Sequence, residues 1–568
     1  MQKYAVRERV REDLLEHLLA ARGITDASVA KRFLTPDYDA HTHDPFLMKD
    51  MERAAERIVR AIEKKERIAI FSDYDADGIP GAVVLHDFFK KLGYANFENY
   101  IPDRHQEGFG LNTKAIEAIA ERGARLLITI DCGITDIEEI VRANELGMEV
   151  IITDHHLPSA EGLPPAYAIL NPKQDGCSYP EKMLCGSGVV FKLVQALVKK
   201  IVGSPSTSLG ATSLSLGWEK WLLDMVGIAT LSDMVPLTGE NRVFAYYGLK
   251  VLRKSPRLGF GQLLQELRLN RRELTEDDIG FMITPRINAA SRMGVPMDAF
   301  RLFAEEDATK AGALARHLNK INDERKGKVA ALVKEVHKIV AERHAVSVPT
   351  VVVAGSPNWR PALLGLVANA LAEDYGKPVF LWGREGGENL KGSCRSDGHT
   401  DLSLLMQEAS GVFSDFGGHK EAGGFSIALD KVHLLESTLE SAYEEVRVEH
   451  ASSPEYLVDA VLSIDEINGD LWRDIAKLAP FGVGNSKPLF LFSQITPLAV
   501  EPFGKERQHL KLVFENSVGE RISAVKFYSK QEDFGGIAKG QTINLLANLE
   551  RSIFRDTPEL RLRIVDVV

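Results

Sequence analysis

Residues 67–78 read RIAIFSDYDADG, an apolar run followed at once by three aspartates at alternate positions and a glycine. Two similar junctions follow along the chain. LLITI leads into Asp131 of a DCG sequence, and EVIIT leads into Asp154 of a DHH sequence. Each junction precedes a helix-like segment, which is typical of a parallel sheet with crossover helices. Such sheets bind ligands outside the C-terminal ends of their strands, so we expect these acidic residues to line one crevice.

The side chains at these junctions have the composition of a metal site. A further acidic residue, Asp233 of LSDMVP, follows a helical run that ends near Ser232. Crowding carboxylates into one crevice is electrostatically costly unless cations lie among them. Oxygen ligands mixed with imidazoles suit Mn²⁺ or Mg²⁺, and two such ions stabilise both oxygens of a phosphoryl displacement. The candidates are Asp73, Asp75, Asp77, Asp131, Asp154, His155, His156 and Asp233.

Each motif taken alone has a plainer interpretation. DxDxDG resembles a calcium loop or a turn, Asp131 alone is compatible with a helix N-cap, and a single DHH is most often a surface loop. Their joint occurrence at successive strand ends favours the metal site.

The pattern of apolar and polar residues changes along the chain and divides it into five parts. Apolar residues at helical spacing after residue 298 predict a long helix between two domains, and closely spaced short strands after SSPEY predict a small barrel. The predicted parts are an N-terminal helical segment (1–45), a parallel-sheet α/β catalytic domain (46–297), a connecting helix (298–345), a second, smaller α/β domain (346–450) and an all-β OB-fold (451–568). One face of the connecting helix carries Arg316, Lys320, Arg325, Lys326 and Lys328, and most of these charges are expected to be solvated.

The composition of the chain indicates its cellular compartment but does not indicate which ligand it binds. The chain starts without an apolar signal segment, and its longest apolar stretch is interrupted by lysines, so we expect a cytoplasmic protein with no membrane span. Its four cysteines show no CxxC pairing, which fits a reducing compartment. The net charge of −11 does not decide whether nucleic acid binds, because positive charge can be concentrated in one groove.

The order and spacing of SDYDADG, DCG, DHH and SDMVP resemble the DHH phosphoesterase superfamily. The resemblance extends over nearly the whole chain through IPDRHQEGFGLN, PRINAASRMG, GSCRS, GGHKEAGG and APFGVGN. It is strongest to the bacterial exonucleases specific for single-stranded DNA. This resemblance implies a 5′→3′ exonuclease that hydrolyses single-stranded DNA to 5′-mononucleotides by two-metal-ion catalysis, in DNA repair and recombination. The polarity rests on the resemblance alone.

The resemblance also implies roles for individual residues. The ligand set comprises Asp73, Asp75 and Asp131 for the first ion and Asp77, His155 and Asp233 for the second. Asp131 bridges the two ions. His156 contacts the scissile phosphate or orients a ligand and assists proton transfer, so the catalytic set is Asp131, His155 and His156.

Substrate-binding residues are implied in the same way. They are Arg104, Arg286, Asn288, Ser393, Arg395 and His419. Arginine suits this role because its planar guanidinium binds a phosphate with two parallel hydrogen bonds.

Two other functions remain open at this point. A small-substrate member of the superfamily would hydrolyse nano-RNA, a cyclic dinucleotide or pyrophosphate, but such enzymes usually end after two domains. A non-catalytic replication scaffold would be expected to lack ligands that this chain retains. The C-terminal domain either tracks single-stranded DNA or docks a protein, with a single-stranded-DNA-binding protein or a helicase as candidate partners.

Overall fold

The computed structural model describes residues 4–159, 161–203, 214–344, 348–384, 389–446, 456–504, 507–554 and 557–568. These residues form three large sheets, and one long helix leads from the first sheet domain to the second. Among them, no helix combines the length and the apolar character needed to cross a bilayer.

The N-terminal segment packs against the C-terminal domain. Its elements are β1 (Tyr4–Val6), α1 (Leu14–Ala21), α2 (Ala27–Leu34) and α3 (Tyr38–His41). The first strand pairs in parallel with residues 456–458, and Leu18 and Leu19 are buried in the C-terminal core. The predicted helical segment thus also contains a strand before its helices, and the partner of that strand lies about 450 residues away.

The catalytic domain is built on a five-stranded sheet in which every pair of neighbours is parallel. Its strands are β2 (Arg67–Ser72), β3 (Phe97–Tyr100), β4 (Ala124–Ile130), β5 (Glu149–Thr153) and β6 (Ala168–Leu170), in the order β3-β2-β4-β5-β6. Both faces are covered by helices, which explains why the strands are apolar at nearly every position.

The helices that cover this sheet and extend the domain follow in chain order. They are α4 (Met51–Glu63), α5 (Gly78–Lys91), α6 (Thr113–Glu121), α7 (Ile137–Glu145), α8 (Gly186–Gly203), α9 (Leu223–Ser232), α10 (Gly239–Leu252), α11 (Leu258–Leu267), α12 (Thr284–Met293) and α13 (Pro296–Ala304). A π-helical turn over Asp278–Ile283 leads directly into α12. Such turns are rare and often lie near functional sites.

The connecting helix α14 spans Ala308–Arg343 and is shared by two cores. Leu318 and Ile321 pack in the catalytic core, whereas Val336 packs in the core of the second domain. The predicted start at residue 298 was too early. Helix α13 ends at Ala304, and Asp307 caps α14 by accepting a hydrogen bond from the Lys310 backbone N–H at 2.9 Å.

The second domain is a smaller α/β unit on a mixed five-stranded sheet. Its elements are β7 (Val352–Gly355), α15 (Pro361–Tyr375), β8 (Val379–Gly383), β9 (Leu390–Arg395), α16 (Leu402–Glu408), β10 (Asp415–His419), β11 (Ala422–Ile427) and α17 (Leu435–Val446). The strand order is β10-β11-β9-β8-β7, and only β7 and β8 are parallel.

The C-terminal domain is a seven-stranded sheet with one helix. Its elements are β12 (Tyr456–Val458), β13 (Ala460–Val461), α18 (Gly469–Ala476), β14 (Phe490–Ile495), β15 (Ala499–Phe503), β16 (His509–Glu515), β17 (Arg521–Lys526), β18 (Ile543–Phe554) and β19 (Thr557–Val567). The sheet order is β13-β14-β18-β19-β17-β16-β15, while β12 pairs with β1. The predicted fold class is thus confirmed for the two α/β domains, the long helix and the all-β C-terminal domain.

Candidate metal centre and substrate cleft

The sheet register brings three of the acidic residues together. Ser72 is aligned with Ile130 and Ile130 with Thr153, so the residues that follow these three strand ends are neighbours. Asp73 donates its backbone N–H to Ile130 at 3.0 Å, and Asp131 donates to Thr153 at 2.8 Å. The parallel sheet therefore places the carboxylates of Asp73, Asp131 and Asp154 along one edge, as the sequence pattern predicted.

The loop after β2 contributes two more carboxylates. Asp75 accepts a hydrogen bond from the Asp77 backbone N–H at 2.7 Å, which fixes the turn into α5. Asp77 in turn accepts backbone N–H groups of Gly186 at 2.6 Å and Ser187 at 2.7 Å. These two residues form the N-terminus of α8, where unpaired N–H groups favour an anion.

Glycine is required at the start of α8 because the centre is closely packed. A Cβ atom at Gly186 would lie 2.6 Å from Oδ1 of Asp131. Asp131 itself has a backbone φ of 61°, a left-handed conformation that aspartate and asparagine tolerate better than most residues.

Asp154 orients the two histidines rather than joining the ligand clusters. Its Oδ1 accepts the backbone N–H of His155 at 2.7 Å and lies 2.8 Å from Nδ1 of His156, and its Oδ2 accepts the Ile134 N–H at 3.0 Å. Burial raises the pKa of this carboxyl, but the hydrogen bonds from His156 outweigh it and the net pKa is lowered. For His156, burial lowers the pKa, and the bond to Asp154 more than reverses that effect, so this imidazole holds a proton more strongly than usual.

The remaining side chains converge into three overlapping groups, within each of which the potential ligand atoms lie within 4.8 Å of one another. The groups are Asp73, Asp75 and Asp131; Asp77, His155 and Asp233; and Asp131, His155 and His156. Nε2 of His155 lies 3.2 Å from Oδ1 of Asp131, and its Nδ1 lies 3.7 Å from Oδ2 of Asp233. All six predicted ligands therefore belong to one continuous cluster.

Four ligand atoms in this cluster are buried without a hydrogen-bond partner. They are Oδ1 of Asp73, Oδ1 of Asp131, Nδ1 of His155 and Oδ2 of Asp233. Buried polar atoms in proteins are nearly always satisfied, because an unpaired one costs about 1–3 kcal/mol. Four such atoms on adjacent side chains fit a site that divalent cations complete.

The electrostatics point the same way. Burial raises the pKa of Asp77 to about 6 and that of Asp233 to about 9, and neighbouring carboxylates add to both shifts. The pKa values of Asp73 and Asp131 are likewise raised well above normal. Burial also lowers the pKa of His155 to about 3, so its imidazole is neutral and able to donate a lone pair. Ionising these carboxyl groups together is thus unfavourable in the metal-free protein, and bound cations would remove that cost.

A cleft of about 440 Å³ lies between the catalytic domain and the second domain beside this cluster. Tyr74, Arg104 and Phe109 line it from the catalytic domain, and Ser393 lines it from β9. The guanidinium of Arg104 lies 5.0 Å from the ring centre of Tyr74. The ring of Phe109 packs edge-on against His156 at 5.7 Å and is 55% exposed, so it offers a free aromatic face next to the metal cluster.

Arg104, which lines this cleft, belongs to a cluster of four arginines. Burial lowers the pKa of Arg292 to about 9, and the nearby charges of Arg104, Arg325 and Arg395 lower it further. Arg292 also donates to the backbone oxygen of Ala362 at 2.6 Å and so links the two domains. Like charges gather at this density where an anion is bound, so the arginine cluster fits a phosphate-binding surface.

The predicted substrate residues differ in how the structure places them. Arg104, Ser393 and Arg395 lie at the cleft or in its arginine cluster. Arg286 is buried and donates to Asn319 at 3.1 Å, while Oδ1 of Asn288 is buried without a partner. His419 ends the exposed strand β10 and is not among the lining residues of the cleft. The roles of all six in substrate binding stay predictions.

Sequence reasoning missed Arg292, Arg325 and Phe109. Arg325 was assigned to a solvated helix face, but its Nε atom is buried without a partner and its charge acts on Arg292. The available signal was that Phe109 and Arg292 both fall inside quoted motifs, IPDRHQEGFGLN and PRINAASRMG.

Family models match the three domains separately. Residues 67–217 match the N-terminal domain of the DHH family, residues 347–445 match the DHHA1 domain, and residues 458–566 match the RecJ OB domain.

Whole-length comparisons give a consistent result. The chain is 35% identical to the single-stranded-DNA-specific exonuclease RecJ of Bacillus subtilis, over 97% of this chain and 67% of the relative. It is 30% identical to RecJ of Haemophilus influenzae, over 98% of this chain and 96% of that protein. The crystal structure of Thermus thermophilus RecJ in complex with Mn²⁺ superposes with a TM-score of 0.79 at 25% identity, covering 100% of this chain and 79% of that one.

Proposed function

This chain belongs to the RecJ family of single-stranded-DNA-specific exonucleases, and we propose that it removes 5′-mononucleotides from the 5′ end of single-stranded DNA at the carboxylate–histidine cluster. Two divalent cations, Mn²⁺ or Mg²⁺, complete that site. Asp73, Asp75 and Asp131 would hold the first ion, and Asp77, His155 and Asp233 would hold the second, with Asp131 close enough to both groups to serve each.

The buried ligand atoms without partners carry this proposal. Oδ1 of Asp131 and Nδ1 of His155 are buried without a hydrogen-bond partner and lie among the other potential ligand atoms. Oxygen-rich sites with imidazole suit Mn²⁺ and Mg²⁺. When bound, two such ions activate water and neutralise the charge that develops on a phosphoryl group during in-line displacement.

The residues around the cluster hold and orient the substrate. Arg104 and Arg395 bind phosphate oxygens at the cleft, and Ser393 adds a hydroxyl donor from the opposite wall. The exposed face of Phe109 stacks against a base. His156, held by Asp154, keeps its second ring nitrogen for an oxygen of the scissile phosphate and can supply a proton to the leaving group.

A polymer suits this architecture better than a small nucleotide. The C-terminal domain matches an OB module, a fold that often binds single strands, although residues 455–568 carry 14 Lys plus Arg against 16 Asp plus Glu. The non-catalytic alternative is disfavoured because every candidate ligand is present and assembled. A single-stranded-DNA-binding protein or a helicase as partner stays a prediction. We place the protein in the cytoplasm, consistent with four free cysteines.

Digestion of end-labelled oligonucleotides tests the proposal. A single strand labelled at its 5′ end should lose its label as a mononucleotide at once, whereas a 3′ label should stay on progressively shorter strands. Duplex DNA should be a poor substrate, and hydrolysis should require Mn²⁺ or Mg²⁺.

The matched control for this experiment is Asp131→Ala. It should abolish hydrolysis and keep the fold, because removing one carboxylate relieves repulsion in the apo cluster. Full activity in excess chelator would exclude the two-metal mechanism. Early release of the 3′ label would show that the enzyme digests from the 3′ end instead.

A further inference from the structure

The motif APFGVGN, residues 479–485, touches neither the metal cluster nor the substrate cleft, yet it forms an ordered turn. Gly482 and Asn485 exchange backbone hydrogen bonds at 2.9 and 3.1 Å. The Asn485 side chain is buried and donates to the backbone oxygens of Leu478 and Pro480, each at 2.8 Å. Its own oxygen accepts Nε of Arg22 at 2.9 Å, so the turn is also tied to the N-terminal segment.

This turn is attached to the chain segment that carries Asp233. Leu237, four residues after Asp233, donates its backbone N–H to Val483 at 2.8 Å. Gly482 faces the Leu237 side chain so closely that a Cβ atom there would lie 2.7 Å from Leu237 Cδ1. A Cβ atom at Gly484 would lie 3.4 Å from Cβ of Pro236 and 3.5 Å from Cγ2 of Thr238, so this glycine also lies next to the segment after Asp233.

A second anchor lies a few residues further on. Arg242 of α10 is buried and donates its guanidinium to the backbone oxygens of Leu478 and Ala479, both at 3.0 Å, and of Phe33 at 2.7 Å. The segment between α9 and α10 is thus bound to the C-terminal domain at Leu237, and the first turn of α10 is bound to it at Arg242.

The segment between α9 and α10 is packed against two ligands of the second ion, Asp233 directly and Asp77 through Cys185 and Gly186. Asp233 is the C-cap residue of α9, and Val235 is buried against Ala229 of that helix and against Cys185. Cys185 immediately precedes Gly186, whose N–H holds the carboxylate of Asp77. Displacing residues 234–237 would therefore shift Asp233 and loosen the packing behind Asp77.

We infer that the turn formed by residues 479–485 is a positioning element for the second metal ion, and that Asn485 and Gly482 act on it through the Leu237 segment and the ligand Asp233. The inference rests on the proposed two-metal function. It gives the C-terminal domain a role in building the catalytic centre in addition to any contact with DNA. Residues that orient metal ligands usually change metal affinity by roughly 10- to 100-fold when they are lost.

The test is a two-site Mn²⁺ titration of metal-free, full-length protein, followed by the electron paramagnetic resonance signal of free Mn²⁺. Asn485→Ala removes both donors to the turn. Gly482→Ala keeps that network and pushes directly on Leu237, so it serves if the first variant does not fold. In each variant we expect one of the two sites to bind Mn²⁺ roughly tenfold more weakly, while the other keeps its wild-type affinity. Hydrolysis should recover its maximal rate at saturating Mn²⁺.

The control is Leu512→Ala, which makes a cavity in the C-terminal core on strand β16. It should leave both Mn²⁺ affinities unchanged. Unchanged Mn²⁺ affinities in both turn variants would overturn the inference. So would a loss of affinity that is the same at both sites and the same in the turn variants and the control. Either result would leave the proposed function standing. A wild-type protein that binds no Mn²⁺ would instead overturn the proposed function, and the inference with it.

Discussion

Replacing Asp233 by asparagine should change how the stability of the metal-free protein depends on pH. The Asp233 side chain is 23% exposed, and burial, aided by the charges of Asp77 and Asp75, raises its pKa to about 9. The unfolded chain loses this proton near pH ~3.9, whereas the folded chain keeps it to about pH 9. Stability is therefore lost as the pH rises between these values, by about 1.4 kcal/mol per pH unit. Asparagine cannot ionise and removes that loss.

The window from pH 6.5 to 8.5 avoids the pH range in which His155 affects stability. The pKa of His155 is lowered to about 3, so this group adds stability with rising pH only up to its ordinary value near ~6.5. Across the window, the stability advantage of Asp233→Asn over wild type should grow by roughly 2–3 kcal/mol.

The measurement is native-state hydrogen exchange in EDTA of the peptides that cover β4 and β5, corrected for intrinsic exchange rates. It gives the free energy of unfolding of the region that carries the cluster. The exposed Asp430→Asn of the second domain is the matched control and should show no such growth. An advantage of Asp233→Asn that stays constant across the window would mean that the carboxyl is already ionised and that the electrostatic account of the cluster is wrong.

Three further outcomes are expected. Arg395→Ala should reduce discrimination for a 5′-phosphate over a 5′-hydroxyl by roughly 10- to 150-fold in binding, and an unchanged ratio would give this residue a structural role. Arg325→Gln should weaken binding of oligo-dT and reduce the slope of log affinity against log salt by about one unit, with Mn²⁺ affinity unchanged; an unchanged slope would remove Arg325 from the phosphate path. Deleting residues 454–568 should weaken binding of a long single strand and raise the Mn²⁺ concentration needed to cleave a dinucleotide. The reason is that the deletion exposes Leu18 and Leu19 and removes the contacts that hold the segment after Asp233. A wild-type Mn²⁺ dependence of dinucleotide cleavage would contradict the second effect.

The sequence was most informative where local pattern and sheet geometry coincide. The apolar runs before Asp73, Asp131 and Asp154 could be assigned to parallel strands, and parallel strands carry their C-terminal ends to one edge. The metal cluster follows from that geometry. The start of α14 was locally readable as well, since Asp307 is a good N-cap residue, but uninterrupted helical periodicity on both sides of it hid the break.

Features that depend on distant parts of the chain could not be predicted in the same way. Arg292 and Arg325 lie on different helices and become neighbours only when α12 packs on α14. The N-terminal segment joins the C-terminal core across more than 400 residues, as in the 2.8 Å contact between the His17 ring and the Asp459 backbone oxygen. Local periodicity does not predict a contact between residues so far apart in the chain. Only the folded structure shows that the C-terminal domain contacts the segment after Asp233.

We propose that the unpartnered carboxylate and imidazole atoms of the cluster hold two cations. Anomalous diffraction at the manganese edge, from crystals of the full-length protein soaked in Mn²⁺, tests it most directly. We expect two peaks, one among Asp73, Asp75 and Asp131 and the other among Asp77, His155 and Asp233. The absence of peaks at this cluster, or a single peak elsewhere in the molecule, would mean that the cluster is not a two-metal site.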